Sequence, residues 1–565
     1  MPNRPGFIKH AAPAGGNYSA KKCDRCRAQC GGVSALMSYD YIVIGAGSAG
    51  CVVAHQLVRN YGASVLLLEA GGSHRRPLVD IPAGAFKMMF GNGDYLERYS
   101  SPPQPSLGGR SVDMAQGNLV GGGSSVNAMT YMRGLASDYD SWDYALGGAG
   151  WSWRDILPYF VRQEGNSRLA GPAHGTDGPF KIQDHRYVCG TAHRFVEAMA
   201  ALGVPKRNDF NAGETRGAGL TQISAAYGRR CSAANAFLDP LKDDRRLTVR
   251  TRARVERIIF AGHRAVGVRF VERGVVREES CEHEIVLAAG AYNSPKLLML
   301  SGVGPAEHLT DLGIPIVADL PGVGQNMQDH NMVPVMATAR HGHGYFREDR
   351  GLRLVWNALR YAFGRRGPLA ATGSEAVAFV NPDDSAAEPS LQIYCMGFLP
   401  PGVSDKPGVM LCPTLIRPAS FGWLRLNSAD PAEKPLISPN YFSHPNDLAL
   451  MVRGVRYCRS ILRTEPLAQI VQREIAPGTA VSSGEDIAAF CRHSTFTNYH
   501  PVGSCRMGRE DDPTAVVHPD LRVRGISGLR VCDASVMPRI PGANTNAPAM
   551  AIADRCVDLM MSAVS

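Results

Sequence analysis

Residues 39–72 constrain the fold more than any other stretch of this chain. An apolar, β-branched run, YDYIVIG, ends in glycine and leads into Gly45-Ala-Gly47-Ser-Ala-Gly50. A helix-like stretch, CVVAHQLVRNYG, follows, and then a second apolar run, SVLLLEAGG, which contains Glu69. Strand, glycine turn, helix, strand and acid in that order predict a dinucleotide-binding βαβ unit. Gly45 permits the tight turn, Gly47 lets backbone amides approach a pyrophosphate, and Gly50 lets the helix close on the strand. The helix N-terminus, beginning at Ser48, offers oriented N–H groups to phosphates. Glu69 is placed to bond adenosine ribose hydroxyls and to repel a 2′-phosphate, which disfavours NADP. This segment alone leaves FAD and NAD open.

Composition narrows the class. Hydrophobic residues are 44% and charged residues 20% of the 565, values of an ordinary globular chain rather than a disordered or coiled-coil one. The net charge of +9 is concentrated in a tail, residues 1–37, where six basic residues face the single acid Asp24. The rest of the chain shows no basic stripe interleaved with aromatics, so nucleic-acid binding is not expected. The fourteen cysteines are scattered through a long chain, which argues for reduced thiols and a cytoplasmic location rather than a disulfide framework. No apolar run is long enough to span a bilayer, which leaves peripheral membrane association as the only membrane expectation. Cys23, Cys26 and Cys30 in the tail lack a nearby fourth ligand for a closed zinc site, so the tail reads as a disordered extension.

Three further segments specify the cofactor. Residues 117–140 read GNLVGGGSSVNAMTYMRGLASDYD, and three consecutive glycines before two serines suit a backbone nest rather than a regular element. Residues 290–304 read GAYNSPKLLMLSGVG after the strand-like EIVLAAG, and the C-terminal part carries LRVCDASVMPRIPGANTNAPAMAIADR. With these motifs the chain resembles the glucose–methanol–choline (GMC) flavoprotein oxidoreductases, in their choline dehydrogenase- and alcohol oxidase-like branch, from about Tyr39 onward. The resemblance implies FAD, held by Gly45, Gly47, Ser48, Gly50, Glu69 and a loop containing Gly117, Asn118, Gly121, Gly122, Ser124 and Asn127. It further implies Asn127 near the isoalloxazine, backbone at Val255 near the adenine, Asp533 and Ala534 near the ribityl-pyrophosphate region, and Asn546 near the pyrimidine end of the ring. Where some members attach FAD through a histidine, this chain has SVDMAQGN with Met114, so non-covalent FAD is expected.

The same resemblance assigns the chemistry. In STFTNYHPVGSCRMG, His500 precedes a proline that pins the backbone. Its implied partner on the C-terminal motif is Asn544. Oxidising an alcohol moves hydride from carbon to flavin N5 as the hydroxyl proton leaves, and a histidine accepts that proton near neutral pH. The expected activity is FAD-dependent oxidation of a CH–OH donor to aldehyde or ketone, with electrons passed to O2 or to a quinone or cytochrome-type acceptor. Lyase or photodecarboxylase-like chemistry is the alternative, and the retained His500 weighs against it. A zinc site from Cys491, His493, His500 and Cys505 has the wrong spacing, and no metal is expected.

The expected fold class is mixed α/β. A Rossmann-like FAD-binding domain is formed by 38–330 plus 495–565, and a substrate domain by 331–494, with a possible contribution from 165–225. The substrate domain is expected to be a large antiparallel sheet with helices. WNALRYAFGRRGPL reads as a basic helix ending at Gly367-Pro368, and Trp356 and Trp423 are expected in the core.

Overall fold

The run YDYIVI becomes a strand, Tyr39–Ile44, because its neighbours bury it completely: Ile42 and Val43 are inaccessible, as are Val65, Leu66 and Leu67 on the next strand, Val65–Glu69. Near-continuous apolar runs are what a parallel sheet covered on both faces requires. The computed structural model describes residues 39–562. Expectations for the tail, including Cys23, Cys26 and Cys30, fall outside these residues.

The first sheet runs Leu247–Thr251, Val65–Glu69, Tyr39–Ile44 and Val275–Leu287 in parallel register, and Leu529–Val531 adds in parallel beyond Val275–Leu287. The long Val275–Leu287 strand also turns back through Arg264–Glu272 and Ala253–Ala261 as an antiparallel extension. The helix Ser48–Tyr61 connects the strands Tyr39–Ile44 and Val65–Glu69, ends on left-handed Gly62 and packs along the last helix, Asn546–Ser562. Sequence-distant segments thus meet on one face of this sheet. The fold is mixed α/β, with a Rossmann-like unit at its front.

The second sheet has eight strands. Val471–Ala476, Val335–Ala339, Gly408–Leu415, Leu391–Met396, Ala376–Val380 and Gly217–Leu220 pair in that order, all antiparallel. The short strand Asn331–Met332 joins Gly408–Leu415 to Phe496–Thr497. This last pairing carries the chain from the sheet directly into the segment holding His500. Helices Gly190–Ala201 and Pro445–Leu462 pack against the sheet.

Two local expectations need correction. The basic helix spans Gly351–Gly364 and stops earlier than the Gly-Pro pair, because Arg365 adopts a left-handed conformation with φ 50°. Trp356 on that helix is not a core residue but is 62% exposed, since the helix touches the body through other side chains.

Candidate active site

The glycine turn is built for close approach. Gly45 has φ 97°, and a Cβ on Gly50 would stand 1.9 Å from the Gly45 carbonyl oxygen, so the helix can sit this near the strand only with glycine there. A Cβ at Gly47 meets nothing nearer than 3.9 Å, leaving room over the backbone at the helix entry. No side chain caps that entry. Ser48 Oγ donates to Asn546 Oδ1 at 2.6 Å, which brings the start of the last helix beside the start of the first. Two helix N-termini with their positive dipole ends therefore converge at the turn, a site suited to an anionic pyrophosphate.

The 117–127 loop lies on this turn. Gly121 N–H donates to Ala46 O at 2.6 Å, and a Cβ on Gly122 would meet Gly47 Cα at 2.8 Å. Gly117 folds against Gly122, and the Asn118 backbone lies against Gly71. Ser124 Oγ accepts from Ala233 N–H at 2.9 Å, and Asn127 Oδ1 accepts from Met129 N–H at 3.0 Å. Glu69, buried at its strand end, accepts from Ala46 N–H (2.9 Å) and Gly71 N–H (2.8 Å). Burial raises its carboxyl above the usual range, and these two N–H groups oppose that. Asp533 accepts from Gly290 N–H (2.8 Å), Ser294 Oγ (2.5 Å) and Ser535 N–H (2.8 Å), which ties the 290–304 segment to the C-terminal motif and to neighbouring Ala534. Val255, on the strand Ala253–Ala261, pairs with Phe270 of the neighbouring strand and lies three residues past Arg252, whose N–H donates to Gly71 O.

A fully buried arginine, missed in the sequence, completes this cradle. Arg230 donates to Ser124 O (3.1 Å), Asn127 Oδ1 (2.8 Å) and Val79 O (2.9 Å), while its Nη2 has no partner among the described residues. Burial without a paired carboxylate pushes the guanidinium down to about 9. An uncompensated buried cation is costly, so this group, two converging helix N-termini and the open backbone at Gly47 together fit an anionic dinucleotide such as FAD.

The catalytic expectation concerned His500 and Asn544, and the two are in contact: Asn544 Nδ2 lies 3.1 Å from His500 Nε2. Their surroundings fix every proton. His330 Nε2 is 3.0 Å from Ile416 O, and a carbonyl only accepts, so His330 carries its proton on Nε2. His330 Nδ1 is then bare and lies 3.0 Å from His500 Nδ1, which must donate. His500 Nε2 is left as an acceptor, taking a hydrogen bond from the Asn544 amide. Tyr394 OH donates to Asn544 Oδ1 at 3.2 Å and accepts from Asn498 Nδ2 at 3.3 Å, which agrees with that orientation of the amide. The loop is held from below by Asp329, which accepts from His500 N–H (2.8 Å), Thr497 Oγ1 (2.5 Å) and Tyr441 OH. Burial raises the Asp329 carboxyl to about 6 and lowers His330 to about 4. His500 is held well below the ordinary histidine range, first by burial and then by His330.

His330, Asp329 and Tyr394 were not legible as site residues in the sequence. The polar run GQNMQDHN that carries the first two is unusual between two glycines and a strand, but nothing local says it is buried. The geometry holds the His500 ring against His330, and for the expected role of His500 as base this carries a distinct signature. His330→Ala removes the acceptor that fixes the His500 tautomer, a hydrogen bond worth about 1 kcal/mol and so roughly a five- to tenfold slower flavin reduction. It also moves the acid limb of the kcat/KM–pH profile upward, because one cause of the His500 depression is gone. His330→Asn, which retains an acceptor near the Nδ1 position but carries no charge, recovers part of the rate and leaves the acid limb displaced. Equal rates and identical pH profiles across wild type and both variants would remove His330 from the account.

Comparison with known proteins follows the same lines. Family models described as GMC oxidoreductase match residues 39–332 and 418–553. An alcohol dehydrogenase [acceptor] of Pseudomonas putida is 38% identical, with 93% of this chain and 96% of that protein covered. Mitochondrial choline dehydrogenase of Homo sapiens is 37% identical over 92% of this chain and 89% of its own length. Among solved structures, pyridoxine 4-oxidase from Mesorbium loti superposes with a TM-score of 0.83 at 30% identity, covering 93% of this chain and 99% of that one. A formate oxidase of Aspergillus oryzae gives a TM-score of 0.86 at 26% identity, covering 93% and 98% respectively. Family models over residues 39–332 and 418–553 and relatives 37–38% identical over more than nine-tenths of its length show that this chain belongs to the GMC oxidoreductase family.

Proposed function

We propose that this protein oxidises an alcohol by hydride transfer to non-covalently bound FAD, with His500 as the base. The observation that carries the reading is the hydrogen-bond chain from Ile416 O through His330 and His500 to Asn544, which leaves His500 Nε2 as an acceptor facing the Asn544 amide. FAD, once bound in the cradle of Gly45–Gly50, Glu69, the 117–127 loop and Asn546, supplies the hydride acceptor. The residues of the chain do the rest. A substrate hydroxyl displaces the Asn544 amide from His500 Nε2 and gives its proton to that nitrogen. Asn544, braced by Tyr394, donates to the alcohol oxygen and orients its C–H bond. Because His500 is depressed below the ordinary range, the base stays unprotonated through neutral pH, and the acid limb of kcat/KM lies below the unperturbed histidine value of about 6.5.

Tyr394 belongs to a buried core cluster with Met332, Phe379, Met410, Ile416 and Ala543. We take an alcohol with an aliphatic or aromatic body as the substrate, since a quaternary ammonium calls for an aromatic cage. Anaerobic mixing of the purified flavoprotein with aliphatic, aromatic and furanic alcohols and with choline tests both points. The visible flavin band is expected to bleach with an apolar alcohol and to respond weakly to choline.

Non-covalent attachment is supported by Met114, which is buried in the strand Asp113–Gly117 where a histidyl linkage would need a ring nitrogen. Acid precipitation is expected to leave a white pellet and release the yellow flavin to the supernatant. Yellow flavin retained in the pellet contradicts it.

A further inference from the structure

The helix Gly351–Gly364 presents its apolar side to solvent. Leu352 and Phe363 are 88% exposed and Trp356 62%, and Val355 and Leu359 are exposed with them. Five of the seventeen large apolar side chains exposed among the described residues therefore sit on one helix of fourteen. Their spacing decides what this means. At about 100° per residue, Leu352, Val355, Trp356, Leu359 and Phe363 fall on one face. The opposite face carries the anchors: Asn357 Nδ2 donates to Glu348 O at 3.0 Å, and Tyr361 OH donates to Gly228 O at 3.1 Å. The apolar stripe thus points directly away from the body.

Charge selects the occupant. Residues 351–366 contain Arg353, Arg360, Arg365 and Arg366 and no acid. Arg353 pairs with Glu348 just before the helix, while Arg360 and Arg366 are exposed and Arg365 lies over the Tyr361 ring. A second copy of the chain meeting this face across a twofold axis would set like charge against like. An exposed apolar stripe flanked by arginine is instead the pattern of a helix lying in a membrane interface and attracted by anionic lipid. No helix among the described residues is long and apolar enough to cross a membrane, so attachment would be to one surface only.

We propose that the Gly351–Gly364 helix docks the enzyme onto a bilayer surface containing anionic lipid, with Leu352, Trp356 and Phe363 inserted and the arginines at the headgroups. The helix connects the strands Val335–Ala339 and Ala376–Val380, so docking would attach the enzyme through the sheet that carries Tyr394.

The test uses the full-length flavoprotein and sedimentation with vesicles of phosphatidylcholine alone or mixed with phosphatidylglycerol. Wild type is expected to co-sediment with the mixed vesicles at low salt, less so with the neutral ones, and less at high salt. Leu352→Ser/Trp356→Ser/Phe363→Ser is expected to bind at least about tenfold more weakly. Arg360→Glu/Arg366→Glu is expected to lose the preference for the anionic mixture. Both variants alter exposed side chains only and should retain FAD and its rate of reduction by alcohol, which separates this proposal from the catalytic one. Wild type remaining in the supernatant with mixed vesicles, or the triple variant sedimenting as wild type does, overturns it. So does a wild-type dimer that the triple variant dissociates while neither protein binds vesicles.

Discussion

Replacing His500 by alanine slows anaerobic flavin reduction by about 10²- to 10⁴-fold while FAD stays bound. The rate falls because Nε2 is the only atom of the pair poised to accept a proton: Asn544 offers its amide N–H, and its carbonyl oxygen is engaged by Tyr394. FAD stays because His500 contacts His330, Asn544 and Asp329, none of which belongs to the glycine turn or the nest loop. The loss of a buried ring also strands the bare Nδ1 of His330, so some stability is lost as well. Stopped-flow reduction with the best alcohol, together with the flavin-to-protein absorbance ratio, separates the two effects. A His500→Ala enzyme reduced at the wild-type rate would falsify the assignment of the base.

Gly50→Ala is expected to abolish FAD loading and to lower the melting temperature. The added Cβ would stand 1.9 Å from the Gly45 carbonyl oxygen and 3.1 Å from its carbon, both backbone atoms that no rotamer change can move. The first helix must therefore shift, and overpacking of this kind costs about 1–3 kcal/mol or more. The shift also carries Ser48 away from Asn546, separating the two helix N-termini that form the anion site. Gly123→Ala is the comparison, since a Cβ there meets no protein atom within 4 Å and its φ is not positive. Its melting temperature without flavin should match that of the wild-type apoprotein. Wild-type flavin content and melting temperature in Gly50→Ala would mean that the close helix–strand approach is not what builds the cradle.

The parts of this molecule legible in its sequence are those where local backbone chemistry dictates the role. Gly45, Gly47 and Gly50 announce a turn because only glycine tolerates the geometry, and the flanking apolar runs announce a doubly covered strand. His500 and Asn544 became legible through the long motifs around them, and their contact could not be read from either segment alone. His330, Asp329, Tyr394 and Arg230 were hidden for a physical reason. Each is a polar residue whose function comes from burial against segments far away in the chain, as in the 170-residue separation of His330 from His500. Trp356 shows the opposite failure: a large aromatic in a helical pattern suggested core, but the anchors of its helix lie on the other face, at Asn357 and Tyr361.

The central claim is that this chain couples removal of an alcohol proton at His500 to reduction of bound flavin. The most direct test is the visible absorbance of the purified holoprotein, followed without oxygen as a panel of alcohols is added. At least one alcohol with an apolar body is expected to bleach the flavin completely and to yield one equivalent of aldehyde or ketone per flavin. A flavin that stays oxidised with every alcohol in the panel, yet is readily reduced by dithionite, would contradict it.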